Sequence, residues 1–204
     1  MGRKVIVMTA KVETVKLTSR QREGRAINVV AELLRRKLSV PNIYLEPLPS
    51  LISADVLAVD RGGAGDLHAV EIKLERELNP FEGQRRKPSS TKELNELHRV
   101  WYAKYSEKLK VIHRQVMSMP VYFRYLAILA ESFDLALGEL GRLGLFPADG
   151  IGRLGVIVIV EKGEGPPAAE MDIAPERFRV DPAKLKAIET KLLAKSRPDI
   201  EVRI

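Results

Sequence analysis

Ala54-Asp55-Val56-Leu57-Ala58-Val59-Asp60, a glycine-bearing turn, and His68-Ala69-Val70-Glu71-Ile72-Lys73-Leu74 form the stretch on which the fold of this 204-residue chain depends. Both runs are short, apolar and rich in β-branched residues, which suits strands. Arg61-Gly62-Gly63-Ala64-Gly65 between them can take the positive φ of a hairpin turn. Side chains alternate along a strand, so Asp55, Leu57 and Val59 share one face, and Ala69, Glu71 and Lys73 share another. Pairing Val59 with Leu67 sets Asp55 opposite Glu71. Two carboxylates and an ammonium then converge on one patch beside a near-continuous apolar run.

Two carboxylates held close resist joint ionisation unless a cation sits between them. Mg²⁺ suits such a place, since it takes one or two carboxylates, several waters and the phosphate oxygens of a substrate. Lys73 is placed to hold or deprotonate an attacking water, or to offset charge developing on a phosphate. The spacing Asp55…Glu71-x-Lys73 resembles the site of the PD-(D/E)xK nuclease superfamily, and the stretch from about Thr18 to Leu74 resembles its core. Within the restriction-endonuclease-like fold, the likeness is to archaeal Holliday-junction resolvases and related small nucleases. Ala54 stands where many members have a proline, at a position that varies within the superfamily. The resemblance implies an α-β-β-β-α-β core, Mg²⁺ with Mn²⁺ as substitute, DNA as substrate and a part in DNA repair. It also implies a symmetric homodimer as one option.

Composition narrows the classes. Cysteine is absent, which excludes disulfides and thiolate metal sites and fits a cytoplasmic protein. No run of about 18 apolar residues occurs and no signal-peptide pattern is present, so a membrane partner is not expected. A net charge of +7 and a pI near 9.6 favour a polyanionic partner. Charged residues reach 30%, with few thermolabile side chains, which points to a heat-adapted (thermophile) source. The length is that of a single domain, 1–204.

Along the chain, residues 4–17 read as an extended segment. Thr18-Ser19-Arg20-Gln21 matches a capping box and opens a helix to about Leu38, with Pro41 soon after its stop. At 100° per residue Ala26, Ile27, Val30, Leu34 and Leu38 form one stripe. Glu23 lies in that stripe and Glu32 nearly opposite. The resemblance implies a metal-proximal Glu near the start of this helix, and Glu23 fits. The other reading of Glu23 is support of the first turn through the helix dipole. Residues 43–47 read as a short strand ended by Pro47, with Glu46 a solvated edge charge.

Residues 75–90 lack any period and read as a loop leaving the sheet beside the patch. Thr91 to about Met117 reads as a long helix with Leu94, Leu97, Trp101, Tyr105, Leu109, Ile112 and Val116 on one stripe. Lys92, Arg99, Lys110 and Arg114 cluster on the other side. From Arg85 to Gln115 there are nine Lys/Arg against three Glu, so this stretch supplies almost all the net charge. Arg85, Arg86 and Lys87 with these four are the candidate phosphate contacts, which position without reading sequence. Trp101 and Tyr105 could stack on bases, but their stripe assigns them to packing. His98 and His113 have no second His or Cys at ligand spacing.

Val121 to Leu140 is apolar nearly all round and reads as a buried helix, placed in the core or at a subunit interface. Gly155-Val-Ile-Val-Ile-Val160 reads as a buried strand. Gly150–Gly155 precedes a strand rather than a helix, so it is not read as a nucleotide loop. Asp181-Pro182 opens a last helix, and 199–204 a closing strand.

The expected fold is therefore α/β, with a mixed central sheet flanked by helices and a helical insertion. The core would span about 18–74 plus 151–161, and the helical basic segment about 85–141. The expected activity is a Mg²⁺-dependent, structure-specific DNA endonuclease, RNA remaining open beside DNA. Asp55 and Glu71 would bind metal, Lys73 and Glu23 completing the catalytic set. Two other classes stay open: a non-catalytic nucleic-acid-binding protein with the same fold, and an assembly subunit docking through residues 121–140.

Overall fold

Strand β3 (Asp66–Lys73) is buried along both faces except at its ends, as expected of an apolar run inside a covered sheet. The computed structural model describes residues 18–38, 41–45, 52, 54–60, 65–74, 90–142, 153–161, 165–194 and 200–201. Residues 4–17, Glu46 and the basic triplet Arg85, Arg86, Lys87 lie outside them. Around β3 the described elements run α1 (Ser19–Lys37), β1 (Pro41–Leu45), β2 (Val56–Asp60), β3, α2 (Thr91–Ser118), β4 (Phe123–Leu129), α3 (Phe133–Arg142), β5 (Gly155–Val160), β6 (Ala168–Ile173), α4 (Pro182–Ala194) and β7 (Ile200–Glu201).

The strands form one seven-stranded sheet in the order β6-β5-β4-β3-β2-β1-β7. β2 and β3 pair antiparallel with Val59 opposite Leu67, the register expected from the hairpin. β3, β4 and β5 are parallel, and the remaining pairs are antiparallel. The protein is thus α/β with a mixed sheet flanked by helices. Among the described residues no helix is long and apolar enough to cross a membrane.

Alternation divides the core in two. Val56, Ala58, Val70 and Ile72 face α1, whose Ala26, Ile27, Val30 and Leu34 are buried against them. Leu57, Leu67, Ala69 and Leu126 face the other way, under Tyr105, Leu109, Ile112 and Val116 of α2, and Leu185 and Ile188 of α4. α1 opens as expected: Gln21 N donates to Thr18 Oγ1 at 3.3 Å while Thr18 N donates to Gln21 Oε1 at 2.9 Å.

Residues 121–140 correct the sequence reading. They are not one helix but β4, a 3-10 turn at Ala130–Ser132, and most of α3. An apolar run without polar punctuation has no period, so a strand buried on both faces and a buried helix look alike. The aromatic and β-branched content of Phe123-Arg-Tyr-Leu-Ala-Ile-Leu129 and the buried strand on either side decide for β. β4, rather than 155–160, is therefore the strand beside β3, and the segment 85–141 is not wholly helical. β6 was also not anticipated.

Gly155 is required by packing. A Cβ there would meet Tyr125 Cδ1 at 2.6 Å, so β4 and β5 pair at their first rung only because that side chain is absent.

Candidate active site at the carboxyl edge of the sheet

Because β3, β4 and β5 are parallel and β2 runs against them, the start of β2 and the end of β3 meet at one sheet edge. Asp55 precedes β2, and Glu71 and Lys73 close β3. The amino end of α1 reaches the same edge, tied by Arg22 to Glu161 just beyond β5 (Nε–Oε1 2.9 Å, Nη2–Oε2 2.5 Å). Crevices outside the carboxyl ends of parallel strands are where α/β sheets bind ligands.

Asp55 is gripped by the hairpin itself. Its N–H donates to Val70 O at 3.0 Å, and its Oδ2 accepts from the Ile72 N–H at 2.6 Å. These two bonds straddle Glu71, which leaves the two acidic residues beside each other. Burial pushes the Asp55 carboxyl up to about 6. The bond from Ile72 and the charge of Lys73 oppose that rise, and the charges of Glu71 and Glu23 add to it.

Glu71 is 3% exposed and its two oxygens are treated differently. Oε1 accepts from Lys73 Nζ at 2.5 Å and from Gln115 Nε2 at 2.9 Å. Oε2 is buried with no hydrogen-bond partner among the described residues. A buried carboxylate oxygen left in this way costs free energy unless a donor or cation reaches it. Lys73 is half-buried, so the patch opens to solvent on the Lys73 and Asp55 side and is walled by Gln115 on the other.

Gln115 was not singled out in the sequence. Its signal is visible afterwards: an amide lying between Ile112 and Val116, beside the stripe that α2 packs on the sheet. Glu23 stands exposed on the first turns of α1, close enough for its charge to act on Asp55. Glu32 is spent on Arg35 (2.6 and 2.7 Å) and Arg36. Among the described residues no group of three or more His, Cys, Asp or Glu is arranged to hold a metal ion. The patch is a pair of carboxylates with one ammonium and one amide.

The basic face of α2 is partly self-neutralised. Arg99 pairs with Glu96 (2.7 Å) and Lys110 with Glu107 (2.6 Å), while Lys92 and Arg114 are exposed. Tyr105 is buried, and Trp101 stacks on it at 5.4 Å, as the stripe required. His68, at the far end of β3, is a buried core residue stacked on Phe123, its Nδ1 2.9 Å from Tyr125 Oη.

No family model and no curated protein matches the sequence. A solved structure, described as a protein of unknown function from Silicibacter pomeroyi, aligns over 89% of this chain and 88% of its own, at 17% identity and a TM-score of 0.43.

Proposed function

We propose that the protein is a metal-dependent nuclease that hydrolyses phosphodiester bonds of DNA, with its site at Asp55, Glu71 and Lys73. The observation that carries this reading is the buried Oε2 of Glu71, without a hydrogen-bond partner among the described residues, beside a second carboxylate at the carboxyl edge of the sheet. Mg²⁺ or Mn²⁺ fits that donor set, because hard cations take carboxylate oxygens and keep most of their waters. Asp55 and Glu71 would hold the ion, which supplies charge stabilisation at the phosphate and a water of lowered pKa. The order α1-β1-β2-β3-α2-β4 supports a restriction-endonuclease-like core.

The chain's own groups divide the remaining work. Lys73 neutralises Glu71 and keeps its ammonium at the solvent side, where it can orient a water or meet a phosphate oxygen. Gln115 fixes the Glu71 rotamer from the α2 side. Glu23 adds negative charge at the rim and would raise cation affinity there. Lys92, Arg99, Lys110 and Arg114, with Arg85, Arg86 and Lys87, are the proposed phosphate contacts.

A non-catalytic DNA-binding protein is the second reading, and salt-sensitive binding is common to both. The docking-subunit reading was drawn for a helix over 121–140, and Phe123–Leu129 of that stretch is instead a buried central strand. Incubation with linear, flapped and four-way DNA, in Mg²⁺, Mn²⁺ or EDTA, decides between the first two. Metal-dependent cleavage, abolished by Asp55→Asn with DNA binding retained, is the expected result. No cleavage of any DNA or RNA, together with an Asp55→Asn metal response equal to wild type, would hand the protein to the binding reading.

A further inference from the structure

α2 joins two parallel strands, so it runs against both and its amino-terminal half points back over the carboxyl edge of the sheet. Gln115 lies level with Glu71. Tyr102 lies thirteen residues earlier, about 20 Å along the helix axis, which is the length of about six base pairs of duplex at 3.4 Å each and of fewer nucleotides of an extended single strand. Here the surface of α2, with Arg142 at the end of α3 beside it, forms a shallow open groove lined by His98, Arg99, Tyr102, Lys110 and Arg142 among others.

One group of side chains in this groove is tied by hydrogen bonds to a buried carboxylate and at the same time exposed. Glu139 of α3 is 0% exposed, and its carboxylate accepts from Arg142 Nε at 2.9 Å and Nη2 at 2.6 Å. Arg142 Nη2 also donates to Ser106 Oγ at 3.3 Å, and Tyr102 lies close enough to Glu139 for the carboxylate to raise the pKa of its hydroxyl. The guanidinium holds the Glu139 carboxyl at about 2, so the ion pair persists at every working pH. Yet the Arg142 side chain is 58% exposed and Tyr102 is 36% exposed. The guanidinium carbon stands 5.9 Å from the Tyr102 ring centroid. A buried carboxylate thus holds a planar cation beside a phenol ring in an open groove. A structural ion pair alone does not call for an exposed aromatic ring at its mouth.

We infer that the Tyr102–Arg142 surface is a stacking platform for one unpaired base of a nucleic acid whose backbone runs on to the carboxylate patch. This deepens the nuclease reading and rests on it for the choice of ligand. Planar aromatic and guanidinium surfaces take any base by stacking, and an unstacked base is available only in single-stranded or branched DNA. Long-range attraction is not the means of recognition. Arg99, Lys110 and Arg142 each already face a glutamate, so the groove is close to charge-balanced. The platform therefore adds affinity that salt does not remove.

The test uses forked DNA carrying 2-aminopurine at an unpaired position, and the matching full duplex, with the whole chain in EDTA so that nothing is cleaved. Wild type should bind the fork about 10-fold more tightly than the duplex and quench the probe on the fork alone. Tyr102→Leu should erase both the preference and the quench without altering the salt slope. Tyr102→Phe, which keeps the ring and loses only the hydroxyl beside Glu139, should retain both. Equal affinity for fork and duplex, an undiminished quench in Tyr102→Leu, or loss in Tyr102→Phe equal to that in Tyr102→Leu overturns the platform. Quenching by a protein that never cleaves DNA keeps the platform and removes only the nuclease. Cleavage without quenching does the reverse.

Discussion

Burial outweighs the bond from Ile72 at Asp55, and the carboxyl keeps its proton up to a pH of about 6. An unfolded aspartate ionises near 3.9. Between roughly pH 4 and 6 the folded state therefore binds more protons, so stability rises as pH falls through that window and is reduced above it. Asp55→Asn should accordingly raise the melting temperature of the metal-free protein at pH 7.5. The full shift corresponds to about 3 kcal/mol, and solvent at this half-buried group reduces the gain to roughly 1–2 kcal/mol. The difference from wild type should vanish near pH 4, and thermal scans in EDTA at both pH values check it. Mg²⁺ affinity of the wild type should fall as pH drops below 6, because the ion must displace that proton. Lys73 is a different case, since an ammonium is no ligand. Lys73→Ala should leave Mg²⁺ affinity by calorimetry within a few-fold of wild type and lower single-turnover cleavage by about 10²-fold or more.

At the scale of elements, α1 offers an internal control. Glu23 acts on Asp55 from the first turns of the helix, whereas Glu32, nine residues on, is bound to Arg35. Glu23→Gln should lower cleavage by about 10-fold and lower the Asp55 pKa, read by NMR titration, because one repelling charge is gone. Glu32→Gln should change neither. The hairpin was legible because its evidence is local: period-two alternation and a glycine turn specify which residue faces which. α1 was legible for the same reason, through Thr18 and Gln21. Residues 121–140 were not, because local pattern is silent once every face is apolar. Gln115 and Glu139 were missed because each acquires its role from a residue distant in sequence or from complete burial.

For the whole molecule, a net charge of +7 describes solubility and encounter better than it locates a binding face. The glutamates at 96 and 107 cancel part of what a count along α2 suggests. Lys92→Ala with Arg114→Ala should therefore weaken DNA binding alike for all sequences. It should also flatten the logarithmic salt dependence by about two units, one per contact. Arg99→Ala with Lys110→Ala should flatten it less, since each cation already faces an acid. Equal slopes for both double variants would return α2 to a merely solvated surface. Binding isotherms between about 50 and 200 mM salt measure this.

The sequence by itself determined the α/β class, the β2–β3 register, the capped first helix and the adjacency of Asp55 to Glu71. Each of these follows from steric alternation, turn chemistry or capping within a few tens of residues. Only the tertiary structure decided that Phe123–Leu129 is a strand, since its conformation depends on β3 and β5 offering backbone partners on both sides. The tertiary structure also decided that burial raises the Asp55 carboxyl to about 6 and that one Glu71 oxygen has no hydrogen-bond partner among the described residues. Protonation and hydrogen-bond satisfaction depend on how much water and how many donors the surrounding chain leaves, and that is a property of packing.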